Sequence, residues 1–213
     1  MAEASPKLTL YHASPSRSSI VRWMLEELGE PYRLEVLNLK AGDQRKPAFL
    51  DINPVGKVPA PADGDVVVTE VAAICCYLAD TYPKARLAPP IGDKRRGEYL
   101  KWLFYGPSCV EPAMIDKALG RPPAPRATAG WADYHTVIEV LRGGVGKGEY
   151  LLGDHFTAAD IVIGSALRWG MMFKMIPELP EFTSYVGRLK ARPAMQRQLA
   201  KDEEIAKQSA HSA

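Results

Sequence analysis

Asn53-Pro54-Val55-Gly56-Lys57-Val58-Pro59 reads as a loop running into a strand, and Asp63-Gly64-Asp65 and Thr69-Glu70-Val71-Ala72-Ala73-Ile74 follow closely. Pro59 cannot donate to a β-ladder, so it belongs at the start of a strand or at an edge. A cis Val58–Pro59 bond is one reading, which would offer the N–H and C=O of Val58 to an extended peptide as an added strand; a plain loop is the other. An Asp-Gly between the short apolar runs 58–60 and 66–68 predicts a hairpin. A helix over 70–80 should follow, with Val71, Ile74, Cys75 and Leu78 on one face.

Reading outward towards the N-terminus, residues 7–11 (KLTLY) are β-prone. From Ser18 to Leu28, Ile20, Val21, Met24, Leu25 and Leu28 recur at helical spacing until Gly29 and Pro31 end the helix. Residues 32–39 alternate as a second strand, and a short helix over 47–52 follows. The order β-α-β-α-β-β-α predicts an α/β unit with a mixed sheet over residues 1–82.

Beyond that unit the text changes. Residues 84–92 carry Pro89, Pro90 and Gly92 and read as a linker, and from 93 to 213 only helical patterns occur. These predict a long helix over 94–118 bent near Pro107 and Pro112, then helices over 128–142, 158–172, 181–191 and 194–207, with a fraying tail. Thr157 and Asp160 form a capping-box pattern before Ile161-Val162-Ile163-Gly164-Ser165-Ala166-Leu167, a run with no polar face. Asp160 is therefore read as a folding residue. The fold class is α/β followed by all-α, with domains over 1–82 and 93–213.

With 213 residues, 46% hydrophobic and 24% charged, the chain has ample material for a core. A net charge of +2 leaves no strong field to recruit nucleic acid or anionic lipid. No apolar stretch approaches the ~18 residues of a membrane span, and Lys7, Thr9 and His12 interrupt any signal-peptide core. Three cysteines, two of them adjacent, make no disulfide framework, so a reducing, cytoplasmic location is expected. The four histidines are scattered and no CxxC or HExxH occurs, so no metal site is expected. The sequence contains no Walker loop, GxGxxG or GxSxG.

The first strand-to-helix turn, His12-Ala13-Ser14-Pro15-Ser16-Arg17-Ser18-Ser19, places hydroxyls at a helix N-terminus. Such a turn combines unpaired N–H groups with the positive end of the helix dipole, which suits an anion such as a thiolate; it equally suits a plain N-cap.

Together with Asn53–Pro59, Asp63-Gly64, the segment from Thr69 to Leu78 and Phe156-Thr157-Ala158-Ala159-Asp160-Ile161, this turn resembles the glutathione transferase superfamily, its Ser-Pro-Ser-Arg-Ser looking like the bacterial serine-type members. The resemblance implies a thioredoxin-like half that binds glutathione as co-substrate and an all-helical half that forms the acceptor site. It implies Ser16 as the hydroxyl donor to the thiolate, with Ser14 and Ser18 as alternatives. It further implies Glu70 and Val71 at the γ-glutamyl end, Val58 and Pro59 along the peptide, and Lys57, Lys40 and Gln44 at the glycyl carboxylate. Tyr99, Trp102, Tyr105, Trp169 and Phe173 are the acceptor-site candidates, although an aromatic stripe at helical spacing is usually core. The implied reaction is conjugation of glutathione to small apolar electrophiles by a homodimer; the alternatives are another glutathione-dependent activity (isomerase, peroxidase or reductase) or a non-catalytic binding protein. Two departures stand out. Val71 occupies the place where the family usually has a serine, and Pro61-Ala62 stand where an apolar strand residue is usual, which predicts an irregular hairpin edge.

Overall fold

The computed structural model describes residues 6–211, with side chains to 208. The first unit comprises the chain up to Ala85 together with the chain from Pro193 onward; Arg86–Arg192 form the second. The closing helix thus belongs with the α/β part, whereas its purely helical text had placed it with the helical half.

The first unit contains β1 (Leu8–His12), α1 (Ser18–Leu28), β2 (Tyr32–Val36), a 3-10 turn (Asp43–Arg45), α2 (Pro47–Leu50), β3 (Ala60–Asp63), β4 (Val66–Val67), α3 (Val71–Thr81) and α9 (Pro193–His211). The sheet order is β2-β1-β3-β4, with β1 parallel to β2 and antiparallel to β3. It is a thioredoxin-like four-stranded mixed sheet. Leu8, Thr9, Leu10 and His12 of β1 are buried, so this central strand is covered on both faces, and Val21, Trp23, Met24 and Leu25 of α1 are buried as the helical spacing requires. Gly29 ends α1 in the left-handed region at φ 72°, its N–H bonding Leu25 O at 3.1 Å.

Two strand readings need correction. The strand β2 stops at Val36 rather than 39, because Leu37 N–H turns to His12 O at 2.8 Å and the chain leaves the sheet there. The first hairpin strand starts at Ala60 rather than 58 and includes Pro61 and Ala62, so that edge is regular. Pro61 O accepts from Val68 N–H at 3.1 Å, so its missing donor faces the two-residue edge strand β4, and no bond to β1 is lost.

Helix α9 packs on α1 through ions. Arg197 Nε donates to Glu26 Oε2 at 3.1 Å, Lys201 also pairs with Glu26, and Arg22 Nη1 meets Asp202 Oδ1 at 2.7 Å. Burial pushes the Glu26 and Asp202 carboxyls upward. For Glu26, bonds from Lys201, Tyr32 and Arg197 outweigh burial and hold the carboxyl below its ordinary 4.5; for Asp202, His12, Ser19 and Arg22 hold it below 3.8. A depressed folded-state value means the stabilisation is present above the ordinary value and is lost as pH falls through the folded one. Helix α9 should therefore lose hydrogen-exchange protection before β1 as the solution is acidified below about pH 4. Equal protection of both elements down to about pH 3 would contradict this.

The second unit contains α4 (Arg96–Tyr105), a π-helical segment (Gly106–Val110), α5 (Glu111–Ala118), α6 (Tyr134–Val145), α7 (Ala158–Met172) and α8 (Pro180–Lys190). The expected long helix over 94–118 runs from Arg96 to Ala118, with a π-helical segment, Gly106–Val110, where Pro107 lacks an N–H; Gly106 lies against α7, where a Cβ would sit 2.9 Å from Val162 Cγ1. Helix α6 starts at Tyr134 rather than 128, since Asp133 caps it by accepting Thr136 N–H at 3.1 Å. It continues through Gly143-Gly144, because a Cβ on Gly144 would lie 2.3 Å from Trp102. Helix α7 is buried throughout Ala158–Ser165 and again at Leu167 and Gly170. Asp160 accepts Leu151 N–H and Thr157 N–H, each at 2.8 Å, and Tyr185 O–H at 2.7 Å, as befits a folding residue. No helix among the described residues is long and apolar enough to cross a membrane.

Candidate active site

Strand register gathers four segments at one end of the sheet in the first unit. Tyr11 pairs with Ala60, so the turn after β1 lies beside the approach to β3. Ala62 pairs with Val67, so the chain leaving β4 returns to the same end before α3. His12 pairs with Val36, so residues 37–44 leave β2 there too.

In the turn after β1 the serines divide. Ser18 is fully buried; its Oγ accepts Ala13 N–H at 3.1 Å and lies 2.8 Å from His12 Nδ1. Ser14 donates to Asp202 O at 3.2 Å. Ser16 is half-buried at the entrance to α1; its Oγ accepts Ser18 N–H at 3.1 Å and lies 2.6 Å from Ser18 Oγ. Of the three candidates, Ser16 combines partial exposure with a place at the helix N-terminus, while Ser18 is held inside. Arg17 is exposed in the N-cap position.

The loop before β3 is shaped from within. Buried Asn53 donates through Nδ2 to Lys57 O at 2.7 Å and accepts Val55 N–H at 3.1 Å. Gly56 has φ 65°, and a Cβ there would lie 3.0 Å from Gln44 O, so only glycine fits without strain. The Val58–Pro59 bond is cis, the first of the two readings; Ser14–Pro15 is also cis, which the sequence reading had not anticipated. Neither the N–H nor the C=O of Val58 has a backbone partner among the described residues. Such unpaired groups beside a sheet end are what an added strand requires.

Glu70 occupies the N-cap of α3 at φ 68°, with no capping bond from its side chain. A non-glycine residue held there is strained, and strain of this kind clusters at ligand sites. Val71 begins the helix, so its N–H points out of the first turn unpaired. Glu70, Lys57 and Lys40 are exposed and form no ion pair among the described residues. Gln44 donates weakly to Leu39 O at 3.4 Å, and its buried Oε1 is unpaired.

In the second unit, Tyr99 and Trp102 are buried, Tyr105 and Trp169 are half-buried and Phe173 is exposed. Trp102 meets Tyr105 edge-to-face at 5.6 Å and Trp169 meets Phe173 at 6.0 Å, on the mutually packed helices α4 and α7.

No group of histidine, cysteine or acidic side chains suited to a metal occurs among the described residues. The Cys75 thiol is pushed well up by burial, and burial also raises Cys109, so neither resembles a reactive thiolate. The sequence reading missed His12 and Asp202, which touch the serine turn. His12 had been weighed only as a metal ligand, and Asp202 comes from the far end of the chain, so neither carried a local signal.

Comparison with known proteins bears on the same segments. Residues 16–81 match the glutathione S-transferase N-terminal domain family and residues 128–193 the glutathione S-transferase C-terminal domain family. A zeta-class glutathione S-transferase of Euphorbia esula is 30% identical over 168 residues, covering 74% of this chain and 73% of its own. A solved glutathione transferase from Methylococcus capsulatus is 28% identical with a TM-score of 0.74, covering 92% of this chain and 98% of that one. A sphingomonad glutathione S-transferase solved in complex with glutathione is 25% identical with a TM-score of 0.75 at the same coverages, 92% and 98%.

Proposed function

Because the chain belongs to the glutathione S-transferase superfamily, we propose that the sheet end of the first unit binds glutathione and joins its sulfur to small apolar electrophiles. The observation that carries this reading is the convergence there of the unpaired Val58 backbone and the strained Glu70–Val71 start of α3 with the half-buried Ser16 hydroxyl over the start of α1. In this reading Val58, beside Pro59, pairs with the cysteinyl backbone, Val71 N–H holds the γ-glutamyl carboxylate, and Glu70 takes the α-amino group. The free cations Lys57 and Lys40, with Gln44, meet the glycyl carboxylate.

The chemistry follows from the thiol. With a pKa near ~8.5 it is mostly protonated at neutral pH, and only the thiolate attacks. A shift of about two units requires roughly 2.7 kcal/mol of preferential thiolate stabilisation. A charge-assisted bond from Ser16 and the α1 N-terminus are of that order. Ser14 and Ser18 are the less favoured donors, since their hydroxyls already serve Asp202 and His12. For the electrophile, Tyr105, Trp169 and Phe173 of the second unit are the candidates with exposed surface, while Tyr99 and Trp102 are buried. The reading includes a cytoplasmic homodimer acting in detoxification.

Titration with glutathione, following thiolate absorbance and binding heat together, tests this. Heat and absorbance are expected at neutral pH; heat without absorbance would favour the non-catalytic binding reading, which the missing hydroxyl at Val71 also favours. The absence of a cysteine in the serine turn argues against disulfide exchange through an enzyme thiol. Val71→Ser should tighten glutathione binding about 5- to 20-fold by adding one hydrogen bond to a charged acceptor, with little change in thiol pKa. Unchanged affinity in a calorimetric titration would remove Val71 from the site.

A further inference from the structure

The Ser16 hydroxyl does not stand alone. It lies 2.6 Å from Ser18 Oγ, Ser18 Oγ lies 2.8 Å from His12 Nδ1, and His12 Nε2 lies 3.3 Å from Asp202 Oδ1. Ser18 and His12 are fully buried, and Nε2 has no hydrogen bond of its own beyond this ion-pairing approach. Asp202 is further held by Arg22 Nη1 at 2.7 Å, by Gln198 Nε2 at 2.8 Å and by Ser19.

Hydrogen counting gives the chain a direction. A carboxylate beside Nε2 places the ring proton of a neutral His12 on that nitrogen, leaving Nδ1 as an acceptor. Ser18 then donates to Nδ1 at 2.8 Å, the nearer of its two acceptors, Ala13 O lying at 3.1 Å, and accepts from Ala13 N–H and from Ser16. Ser16 accepts Ser18 N–H and donates inward. At rest every hydroxyl hydrogen therefore points from the half-exposed end towards His12, and Ser16 has none to offer an outside thiolate.

Resting on the proposed glutathione reading, we infer that Ser16, Ser18 and His12 form a proton relay that carries the thiol proton inward to His12, with Asp202 as its counter-ion. The thiol S–H breaks as its proton goes to Ser16 Oγ. The Ser16 hydrogen passes to Ser18 Oγ, and the Ser18 hydrogen passes to Nδ1. The products are a thiolate and an imidazolium, so atoms and charge balance. The same shift reverses the chain: His12 now donates to Ser18, Ser18 to Ser16, and Ser16 to the thiolate. After the electrophile has reacted, the proton returns outward along the two hydroxyls to water.

The charged groups gathered about His12 are Asp202 from α9 and Arg22 from α1, and no ion pair reaches it from β2 or β3 among the described residues. The Arg22–Asp202–His12 cluster thus goes from neutral to positive as the thiol becomes negative. Charge created at one end of the chain is balanced at the other, as in a cysteine–histidine pair, here with two hydroxyls between. His12, Ser18 and Asp202 act through Ser16 and are positioning and relay residues.

The test compares thiolate formed with protons released. The protein is mixed with glutathione in weakly buffered solution about one unit above the ordinary imidazole value of ~6.5, with S-methylglutathione as the thiol-free control. Wild type should form thiolate while releasing far less than one proton per thiolate beyond the control. In His12→Asn, whose amide can still bond Ser18 but cannot hold a proton, each thiolate should release one. Its thiolate fraction should fall about tenfold, turnover about 100-fold, and glutathione affinity little, the range expected for losing a base. Ser18→Ala should do the same by cutting the chain. One proton released per thiolate by wild type overturns the relay by itself, whatever the variants do. Full turnover in His12→Asn overturns it equally. Absence of binding heat overturns the glutathione reading and the relay with it; heat accompanied by stoichiometric proton release overturns the relay alone.

Discussion

Replacing Asp160 with Ala should destabilise the protein by about 3–5 kcal/mol, because it strands several buried donors that each cost about 1–3 kcal/mol when unsatisfied. The carboxylate accepts from Leu151 N–H, Thr157 N–H, Thr157 Oγ1 and Tyr185 O–H, all buried. Alanine would leave these donors facing one another without an acceptor, and each would retain its full desolvation cost. For a chain of this size the loss corresponds to a fall in Tm of about 10 °C, read by circular dichroism. Tyr185→Phe removes one donor and leaves the carboxylate satisfied by three others, so it should cost only about 1–2 kcal/mol. Equal losses in the two variants would mean that the tyrosine, rather than the acid, organises this corner. The sign of the pH dependence also sets Asp160 apart. Burial holds its carboxyl above the ordinary 3.8 although Leu151, Tyr185 and Thr157 pull it back. Its contribution is therefore fully present below the ordinary value and declines as pH rises through the folded one, opposite to Glu26 and Asp202.

Ser16→Ala is expected to lower turnover with an electrophile about 10- to 1000-fold, as removing one donor to a reacting anion does. Glutathione affinity should change little. The neutral thiol gains little from the hydroxyl, whereas the thiolate gains a charge-assisted bond, so the stabilisation appears as charge develops and enters the rate. The thiol pKa of bound glutathione, read from thiolate absorbance against pH, should rise in step. Ser14→Ala should leave that pKa unchanged, because Ser14 donates to the main chain of Asp202. A normal pKa in Ser16→Ala with a raised one in Ser14→Ala would transfer the role to Ser14. No change in Ser14→Ala, Ser16→Ala or Ser18→Ala would leave the backbone N–H groups of α1 as the sole stabilisers.

Much of the candidate site was legible because its parts are local. The Asn53–Pro59 loop, the Asp63-Gly64 turn and the start of α3 each depend on residues within a few positions of one another. Asn53 bonds Lys57 O, and Gly56 turns at a φ that few other residues adopt. The capping arrangement of Thr157 and Asp160 and the apolar run of α7 are local in the same sense. Short-range geometry of this kind is written in residue type and spacing, so the two fold classes could be read directly from the chain.

Local text could not reveal which distant residues meet. The Gly143-Gly144 pair reads as a helix stop, yet α6 continues through it because Trp102 requires a position without a side chain. Pro61 reads as a fault in a strand, yet its missing donor falls on the side of the short edge strand, where little pairing is lost. Of the four serines in the first turn, Ser14, Ser16 and Ser18 are the candidates, which local sequence does not separate. Tertiary packing separates them, burying Ser18 against His12, tying Ser14 to α9 and leaving Ser16 half-exposed. The sequence by itself determined the order of elements, the turn chemistry and the segments that meet at the sheet end. Only the tertiary structure placed α9 on α1 and brought Asp202 to His12, because ion pairs and buried hydrogen bonds between residues some 190 positions apart leave no periodicity or spacing to read.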